Sequence, residues 1–346
     1  MSSSSPVLEV EGLSTAWGSV PVLRSIGFHV DDGELLVLLG PNGSGKTTLL
    51  RALAGLEPLT AGRVVLDGVD LTGRPAHRRG LPLMFQDAVL FPHRTVYENL
   101  AYAPLLQRRP RDEVREEVER MVELLHLEGF EDRRPEHLSG GERQRVALGR
   151  TLAARPRVVL LDEPFASIDP ELKSELRTEF RRALRAVGTA AIHVTHDRDE
   201  GLFLGDRVGL LFEGSLEALD RPRDLFERPT SARAARFLGY NLLPAQSGLI
   251  AVHPNDLIAG PPGSGGVVMT VVALGSNGRG TTVVFRTDAG DRIELRAPGP
   301  VASLGPGARA SLSWERSVPV PLDPVPGRDG RDVLPNRPKT PKAPPG

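Results

Sequence analysis

The stretch LLVLLGPNGSGKTTLLRALAGL, residues 35–56, decides the fold. It runs from a continuous apolar segment through a glycine-rich loop into a stretch whose apolar residues recur at helical spacing. This order predicts a strand buried on both faces, a phosphate-binding loop and a helix. Gly40, Gly43 and Gly45 allow the backbone to curl, so that successive N–H groups and the helix N-terminus face an anion. An α/β domain that binds a phosphorylated ligand is therefore expected.

The loop also carries the side chains that a nucleotide with a magnesium ion requires. Lys46 is expected to reach the β and γ phosphates, and Thr47 to hold Mg²⁺. Only four of the 43 lysines and arginines are lysine, and a compact ammonium suits a tight phosphate nest better than a guanidinium does. The alternative is a plain glycine-rich turn. The predicted nucleotide contacts in the loop are Gly40, Pro41, Asn42, Gly43, Ser44, Gly45, Lys46, Thr47 and Thr48.

A pair of carboxylates ends a second apolar run. In RVVLLDEP, residues 157–164, Asp162 and Glu163 follow a segment that reads as a buried strand. Open α/β sheets bind their ligands at the carboxyl ends of the strands. Asp162 is expected to orient Mg²⁺ through its water shell, and Glu163 to polarise a water for in-line attack on the γ-phosphate. The alternative is an acidic pair that enters an ordinary turn.

The segment LSGGERQRVAL, residues 138–148, begins another predicted helix. Ser139 and Glu142 have the spacing of a capping box, yet Gly140 and Gly141 fill the first turn. Each glycine inside a helix costs roughly 1 kcal/mol relative to alanine. The two glycines therefore indicate that something approaches this backbone closely. The alternative is a helix cap without a ligand.

Composition limits the possible partners. A length of 346 residues suggests two domains, because a single hydrophobic core seldom grows so large. The net charge of −1 excludes a general basic field that would attract DNA or anionic lipid. The lack of cysteine excludes disulfides and thiol-ligated metals. The opening MSSSSPVLEV does not resemble a secretory signal, and no run reaches the ~18 apolar residues of a membrane helix, so a chain that is soluble by itself is expected.

The sequence pattern changes along the chain. The α/β domain is expected to cover residues 1–236, with AAIHV at 190–194 as a weaker third strand and a helical subdomain at about 93–155. Residues 237–318 are expected to form a small all-β, OB-like barrel from the segments VVMTVVAL, TTVVF, RIELR and ARASLSW. The proline-rich segment 319–346 is expected to be a disordered tail.

The phosphate loop, LSGGERQ and LLDEP, in this order, resemble the ATP-binding cassette (ABC) ATPases, and LSGGE is typical of that family. The resemblance covers residues 7 to about 236. It implies a P-loop NTPase fold, ATP and Mg²⁺ as ligands, and ATP hydrolysis as the activity. It also implies that Ser139, Gly140, Gly141 and Glu142 close over the ATP of a second subunit, so that each catalytic site lies at the interface of a homodimer.

Four more site residues follow from the resemblance. Gln86 in LMFQD resembles the glutamine that contacts Mg²⁺ or the attacking water, and His196 in VTHD resembles the switch histidine at the γ-phosphate. Asp169 in ASIDP resembles the D-loop aspartate, and Trp17 stands where the family usually stacks a tyrosine on adenine. The structural alternatives are a solvated strand end for Gln86, a helix cap for Asp169 and a packed core aromatic for Trp17. His193 is expected to be structural.

The resemblance also implies partners. FPHRTVYENLAYAP at 91–104 resembles importer ATPases, and ARFLGYNLLPA followed by a small barrel resembles the TOBE region of importers for oxyanions, ferric iron, polyamines or sugars. HPNDL departs from the RPEDL of that region at His253. These likenesses imply integral membrane permease subunits, an extracytoplasmic solute-binding protein, and a peripheral position at the cytoplasmic face of the cell membrane.

Two classes of function stay open at this stage. The first is an ATPase that powers a separate permease, with a barrel that regulates the transporter or only braces the dimer. The second is a soluble cassette ATPase that acts on nucleic acid or ribosomes, although such proteins usually carry two cassettes or a long coiled-coil insertion. A standalone kinase is a third option, against which LSGGE argues. Nucleic acid is not an expected partner, because the barrel strands lack interleaved aromatic and basic residues.

Overall fold

The computed structural model describes residues 6–321 except 167, 246–247, 265, 277–279, 288–289, 300 and 302–303. The chain divides into two compact units, Met1–Pro229 and Thr230–Gly346. This division comes earlier than the expected boundary at residue 236. The physical reason is that a helix formed by Ala232–Leu238 packs on the first two strands of the second unit.

The first unit alternates strands and helices. Its strands are β1 (Leu8–Trp17), β2 (Val20–Val30), β3 (Leu35–Leu39), β4 (Ala61–Leu66), β5 (Val69–Asp70), β6 (Leu83–Met84), β7 (Val158–Asp162), β8 (Ala190–Thr195), β9 (Arg207–Phe212) and β10 (Ser215–Asp220). Its helices are α1 (Lys46–Ala54), α2 (Val96–Leu106), α3 (Arg111–Leu124), α4 (Gly140–Leu152), α5 (Pro170–Val187), α6 (Arg198–Leu204) and α7 (Pro222–Glu227).

The predicted α/β sheet is confirmed. Its strand order is β10-β9-β3-β8-β7-β6, and every neighbouring pair is parallel except β9 and β10. All residues of β3, β7 and β8 are buried, as expected for strands covered on both faces. The weaker candidate AAIHV is thus a central strand. Because β3, β7 and β8 are parallel, the loops after them emerge at one edge of the sheet.

A second, antiparallel sheet has the order β2-β1-β4-β5. Its apolar side chains share one core with the parallel sheet, and Leu49, Leu50 and Leu53 of α1 belong to the same core. This packing fixes the start of α1, and with it the phosphate loop, against both sheets.

The segment expected to be a helical insert, 93–155, contains α2, α3 and α4. In α3 the side chains of Val114, Val118 and Met121 are buried, which agrees with the helical periodicity of the sequence. Thr95 and Glu98 form a complete capping box at the start of α2. No helix within the described residues is both long and apolar enough to cross a bilayer.

The second unit is mainly antiparallel, consistent with the expected OB-like domain. It contains α8 (Ala232–Leu238), β11 (Asn241–Ala245), β12 (Gly248–Val252), β13 (Leu257–Gly260), β14 (Val267–Ser276), β15 (Thr281–Arg286), β16 (Arg292–Ala297), β17 (Arg309–Trp314) and β18 (Val318–Val320). The sheet orders are β11-β12-β18 and β13-β17-β14-β15-β16. Strand β18 pairs with β12 and extends beyond residue 318, where the barrel was expected to end. Most of the expected tail, 322–346, lies outside the described residues.

Candidate nucleotide-binding and catalytic site

The glycine-rich loop forms an anion cradle between β3 and α1. Gly43 and Gly45 have left-handed φ values of 79° and 100°, which glycine adopts without strain. A Cβ on Gly40 would lie 2.3 Å from the carbonyl oxygen of Leu211, so only glycine fits there. The first hydrogen bond of α1 runs from the Leu49 N–H to the Gly45 carbonyl, and no side chain caps this helix. The N–H groups of the first turn are therefore available to an anion.

Lys46 lies inside this cradle with 5 % of its surface exposed. Its Nζ donates hydrogen bonds to the carbonyls of Gly40 (2.9 Å) and Pro41 (3.1 Å) and lies 3.8 Å from Oε1 of Glu163. Burial lowers the pKa of Lys46, against the opposing effect of the nearby carboxylates. The Ser44 hydroxyl is buried without a hydrogen-bond partner among the described residues. A buried ammonium beside an unpaired hydroxyl suits a phosphate ligand.

Asp162 and Thr47 meet at the edge of the sheet. The Thr47 hydroxyl donates to Oδ1 of Asp162 at 3.0 Å. Burial raises the pKa of Asp162, and the hydrogen bond from Thr47 partly offsets this effect. A hydroxyl and a carboxylate at this distance are the hard oxygen donors that Mg²⁺ prefers. These two residues therefore fit the predicted magnesium site.

Glu163 lies between Lys46 and His196. Its backbone is left-handed, with φ of 44°, and its N–H donates to the Val194 carbonyl at 3.1 Å. Its Oε2 lies 2.9 Å from Nδ1 of His196, whose side chain is 51 % exposed. The structure thus brings together three residues predicted from separate motifs.

Trp17 ends β1 and is 59 % exposed, which does not fit the alternative of a packed core aromatic. It lines a cleft of about 510 Å³ together with Asn42, Thr48 and Glu163. The cleft is lined both by an exposed aromatic ring and by residues of the anion cradle. Its further lining residues are Val20, Pro21, Val22, Arg24, Gly43, Gly45, Lys46, Thr47, Glu213 and Gly214.

The tip of α4 does not line this cleft. Ser139 caps the helix through a complete capping box, in which its N–H donates to Oε2 of Glu142 at 2.6 Å and its hydroxyl accepts from the Glu142 N–H at 3.3 Å. Ser139 is exposed, and no hydrogen bond or ion pair among the described residues joins 139–142 to the cleft.

The chain's own packing does not require glycine at the α4 tip. A Cβ on Gly140 would lie 3.7 Å from Cδ1 of Ile168, and one on Gly141 would lie 3.4 Å from Cδ1 of Leu176. Both distances are ordinary van der Waals contacts. Neither glycine has a positive φ.

Among the described residues, no hydrogen bond or ion pair joins the side chains of Gln86 and Asp169 to Lys46, Glu163 or His196. Gln86 is exposed just after β6, and its carbonyl accepts a hydrogen bond of 3.0 Å from Nε2 of Gln144. Sequence reasoning missed Gln144, which is buried on α4 and whose contact with a backbone carbonyl leaves no signal in the sequence. Asp169 takes the N-cap position of α5, but its side chain makes no capping hydrogen bond.

His193 is buried at 1 % exposure, in line with a structural role. Its Nε2 lies 2.9 Å from Oε2 of Glu200, a residue that sequence reasoning did not single out. Burial alone raises the pKa of Glu200, but hydrogen bonds with His193 and Thr195 and the charge of Arg177 lower it to about 2. Glu200 is therefore ionised throughout the neutral range.

Comparisons with known proteins identify the family of the chain. The family model described as "ABC transporter" matches residues 23–166. The chain is 45% identical over 234 residues to the Fe(3+) ions import ATP-binding protein FbpC of Streptomyces coelicolor, covering 68% of this chain and 67% of that protein. It is 44% identical to the molybdate/tungstate import ATP-binding protein WtpC of Pyrococcus horikoshii, with 68% of each chain covered.

Other relatives are covered less fully. The match to the spermidine/putrescine import ATP-binding protein PotA of Acidothermus cellulolyticus has 44% identity and spans 65% of this chain but only 59% of that protein. Among solved structures, cbiO1 from Clostridium perfringens, described as part of the ABC transporter complex cbiONQ, has a TM-score of 0.60 and 29% identity. That match covers 64% of this chain and 91% of cbiO1. Two of these relatives are at least 44% identical to the chain and are covered over two thirds of their length. The chain therefore belongs to the family of ABC transporter ATP-binding proteins.

Proposed function

We propose that this chain is the ATP-hydrolysing subunit of an ABC importer and works as a homodimer beneath a separate membrane permease. The observation that carries the proposal is the placement of Glu163, which contacts His196 at 2.9 Å and lies 3.8 Å from the Lys46 ammonium. A carboxylate held beside a phosphate cradle has the geometry of a general base for water attack on a bound phosphate.

The chain's own residues divide the chemistry between them. The Lys46 ammonium leaves the carbonyls of Gly40 and Pro41 and binds the ATP phosphates. Glu163 accepts the proton of the attacking water, while His196 orients Glu163 and contacts the γ-phosphate. Thr47 and Asp162 would hold Mg²⁺, and Gln86 would contact Mg²⁺ or the attacking water. When bound, Mg²⁺ neutralises the charge of the phosphate oxygens.

The exposed α4 tip supports the homodimer. Glycine at positions 140 and 141 is not required by packing or by backbone conformation within the chain, yet each costs roughly 1 kcal/mol of helix stability. An outside ligand that must approach the backbone accounts for both glycines. We infer that Ser139, Gly140 and Gly141 present the positive end of the helix to the γ-phosphate held by the partner subunit, and that Asp169 faces the same interface.

Alanine at position 140 separates this role from a structural one. Gly140→Ala is expected to leave the folding stability unchanged or raised by up to about 1 kcal/mol, because alanine favours helix. It is also expected to reduce ATP turnover at least about tenfold, because the methyl group displaces the partner's phosphate. Phosphate release, the dissociation constant for ATP and urea unfolding measure the three effects.

The matched control is Gly149→Ala in the same helix. Its Cβ would meet Cδ2 of Leu100 at 2.7 Å and Cδ1 of Leu125 at 2.8 Å, so this change should destabilise the fold. Wild-type turnover in Gly140→Ala would contradict a shared site.

The transport role rests on the relatives, which are named as import ATP-binding proteins. The exposed side chains of Val89, Leu105 and Leu106, in the loop after Gln86 and on α2, offer an apolar surface for a permease. Through the permease the chain takes a peripheral position at the cytoplasmic face of the cell membrane, and an extracytoplasmic binding protein delivers the solute.

Affinity purification of the full chain from detergent-solubilised membranes tests this partner. Recovery of an integral membrane permease is expected. Recovery of RNA or DNA in its place would favour the soluble alternative and overturn the transport role.

A further inference from the structure

A cluster of charged residues lies directly behind the switch histidine. It consists of Lys173 and Arg177 on α5, His193 on β8, Asp197 after β8 and Glu200 on α6, and is called the charge cluster below. The Nη2 of Arg177 lies 2.6 Å from Oδ2 of Asp197 and 3.1 Å from Oε1 of Glu200. The Nζ of Lys173 lies 3.6 Å and 3.9 Å from the same two oxygens.

The cluster is balanced in charge. Lys173 and Arg177 face the carboxylates of Asp197 and Glu200. Glu200 is 2 % exposed and accepts a hydrogen bond from His193, whose Nδ1 has no partner within the described part of the chain. This contact places a proton on Nε2 of His193, because a carboxylate can only accept. A buried group of this kind is stable only while every member is present.

His196 depends on this cluster for its position. Its side chain is 51 % exposed, so packing does not hold it in place. Its backbone is fixed on the C-terminal side by Asp197, whose N–H donates to the Thr195 hydroxyl at 3.1 Å and whose Oδ1 accepts from the Asp199 N–H at 3.0 Å. The other oxygen of Asp197, Oδ2, is held by Arg177 and Lys173. One carboxylate thus ties the switch loop both to α6 and to α5.

The N-terminal end of α5 lies at Asp169, the residue proposed to face the dimer interface. The helix begins at its N-cap, Asp169, and carries Lys173 and Arg177 one and two turns further along the same face. A shift of α5 at Asp169 therefore moves the two cations that hold Asp197.

We propose that Lys173 and Arg177, with the buried Glu200–His193 pair, position His196 against Glu163 and transmit the state of the Asp169 end of α5 to it. They are positioning residues and do not touch ATP. The inference rests on the proposed ATPase function.

A double-mutant cycle in the full chain tests the inference. Arg177→Ala is expected to lower kcat about tenfold or more, because a displaced switch histidine no longer aligns Glu163, while the dissociation constant for ATP stays within about twofold. In a His196→Ala background the same change is expected to lower kcat by less than about twofold further, because both changes act through one residue. Full additivity of the two effects would overturn the inference, as would wild-type kcat in Arg177→Ala.

Two further variants separate positioning from general stability. Arg177→Lys should keep most of the turnover, because a single nitrogen makes both contacts and the Nε of Arg177 is buried without a partner in the described chain. Arg185→Ala, on the same helix but paired with Asp206 at 3.2 Å, is the matched control and should leave kcat unchanged. Should Arg177→Ala unfold, Lys173→Ala replaces it in the cycle.

A wild-type chain without ATP turnover would overturn the proposed function itself, whereas turnover with additive effects would overturn only the positioning role.

Discussion

Glu163→Gln is expected to lower ATP turnover at least about 100-fold, because the amide cannot accept the proton of the attacking water. The side chain keeps its size, and the anion cradle around Lys46 is left intact. Removal of one negative charge 3.8 Å from the Lys46 ammonium also favours the bound phosphates. The variant should therefore retain ATP and accumulate as a dimer. Phosphate release and light scattering in the presence of ATP and Mg²⁺ measure the two effects.

The control for this prediction is Glu116→Gln, which removes an exposed carboxylate on α3. It should hydrolyse ATP at the wild-type rate and dissociate after turnover. If Glu163→Gln were monomeric with ATP and turned over normally, Glu163 would not be the general base.

Lys46→Ala should lose ATP binding. A hydrogen bond to a charged group contributes about 1.5–3 kcal/mol, or roughly 10- to 150-fold in affinity. The loss should lie at the upper end of this range or beyond it, because Glu163 and Asp162 would then face the phosphates without the ammonium between them. Isothermal titration with ATP and Mg²⁺ gives the dissociation constant, and thermal unfolding checks that the variant is folded.

Lys46→Arg tests whether the shape of the Lys46 side chain matters in addition to its charge. It keeps the charge, yet a planar guanidinium does not fit between the carbonyls of Gly40 and Pro41, so binding should fall here as well. Arg63→Ala, which removes an exposed cation paired with Glu11, should bind ATP normally. An unchanged dissociation constant in Lys46→Ala would exclude the proposed role of Lys46.

The parallel sheet and the phosphate loop could be predicted from sequence, because each depends on short-range patterns. Five consecutive apolar residues in β3 require burial on both faces, and Gly43 and Gly45 are needed because the loop backbone is left-handed at these positions. The meeting of Lys46, Glu163 and His196 could also be expected, because all three follow strands whose carboxyl ends share one edge of the sheet.

The remaining features depend on contacts between distant elements. Glu200 looks like an ordinary solvent-facing residue in the sequence RDEGLFL, and only the packing of α6 on α5 and β8 buries it beside His193. The role of Gln144 is equally hidden, since its partner is a backbone carbonyl at Gln86. The first unit ends at Pro229, before the expected boundary at residue 236, because α8 packs on the strands that follow it. The sequence of α8 contains no local pattern that assigns it to those strands rather than to the preceding ones.

The left-handed backbone at Glu163 places a stability cost at the residue proposed as the general base. A glutamate costs about 1–2 kcal/mol in this conformation, whereas glycine adopts it without strain and asparagine can offset the cost by a local hydrogen bond of its side chain. A library selected for thermal tolerance alone would accumulate Gly or Asn at position 163 and discard the carboxylate. Folding stability and ATP turnover therefore favour different residues at position 163, and a stabilised variant of the chain has to keep Glu163.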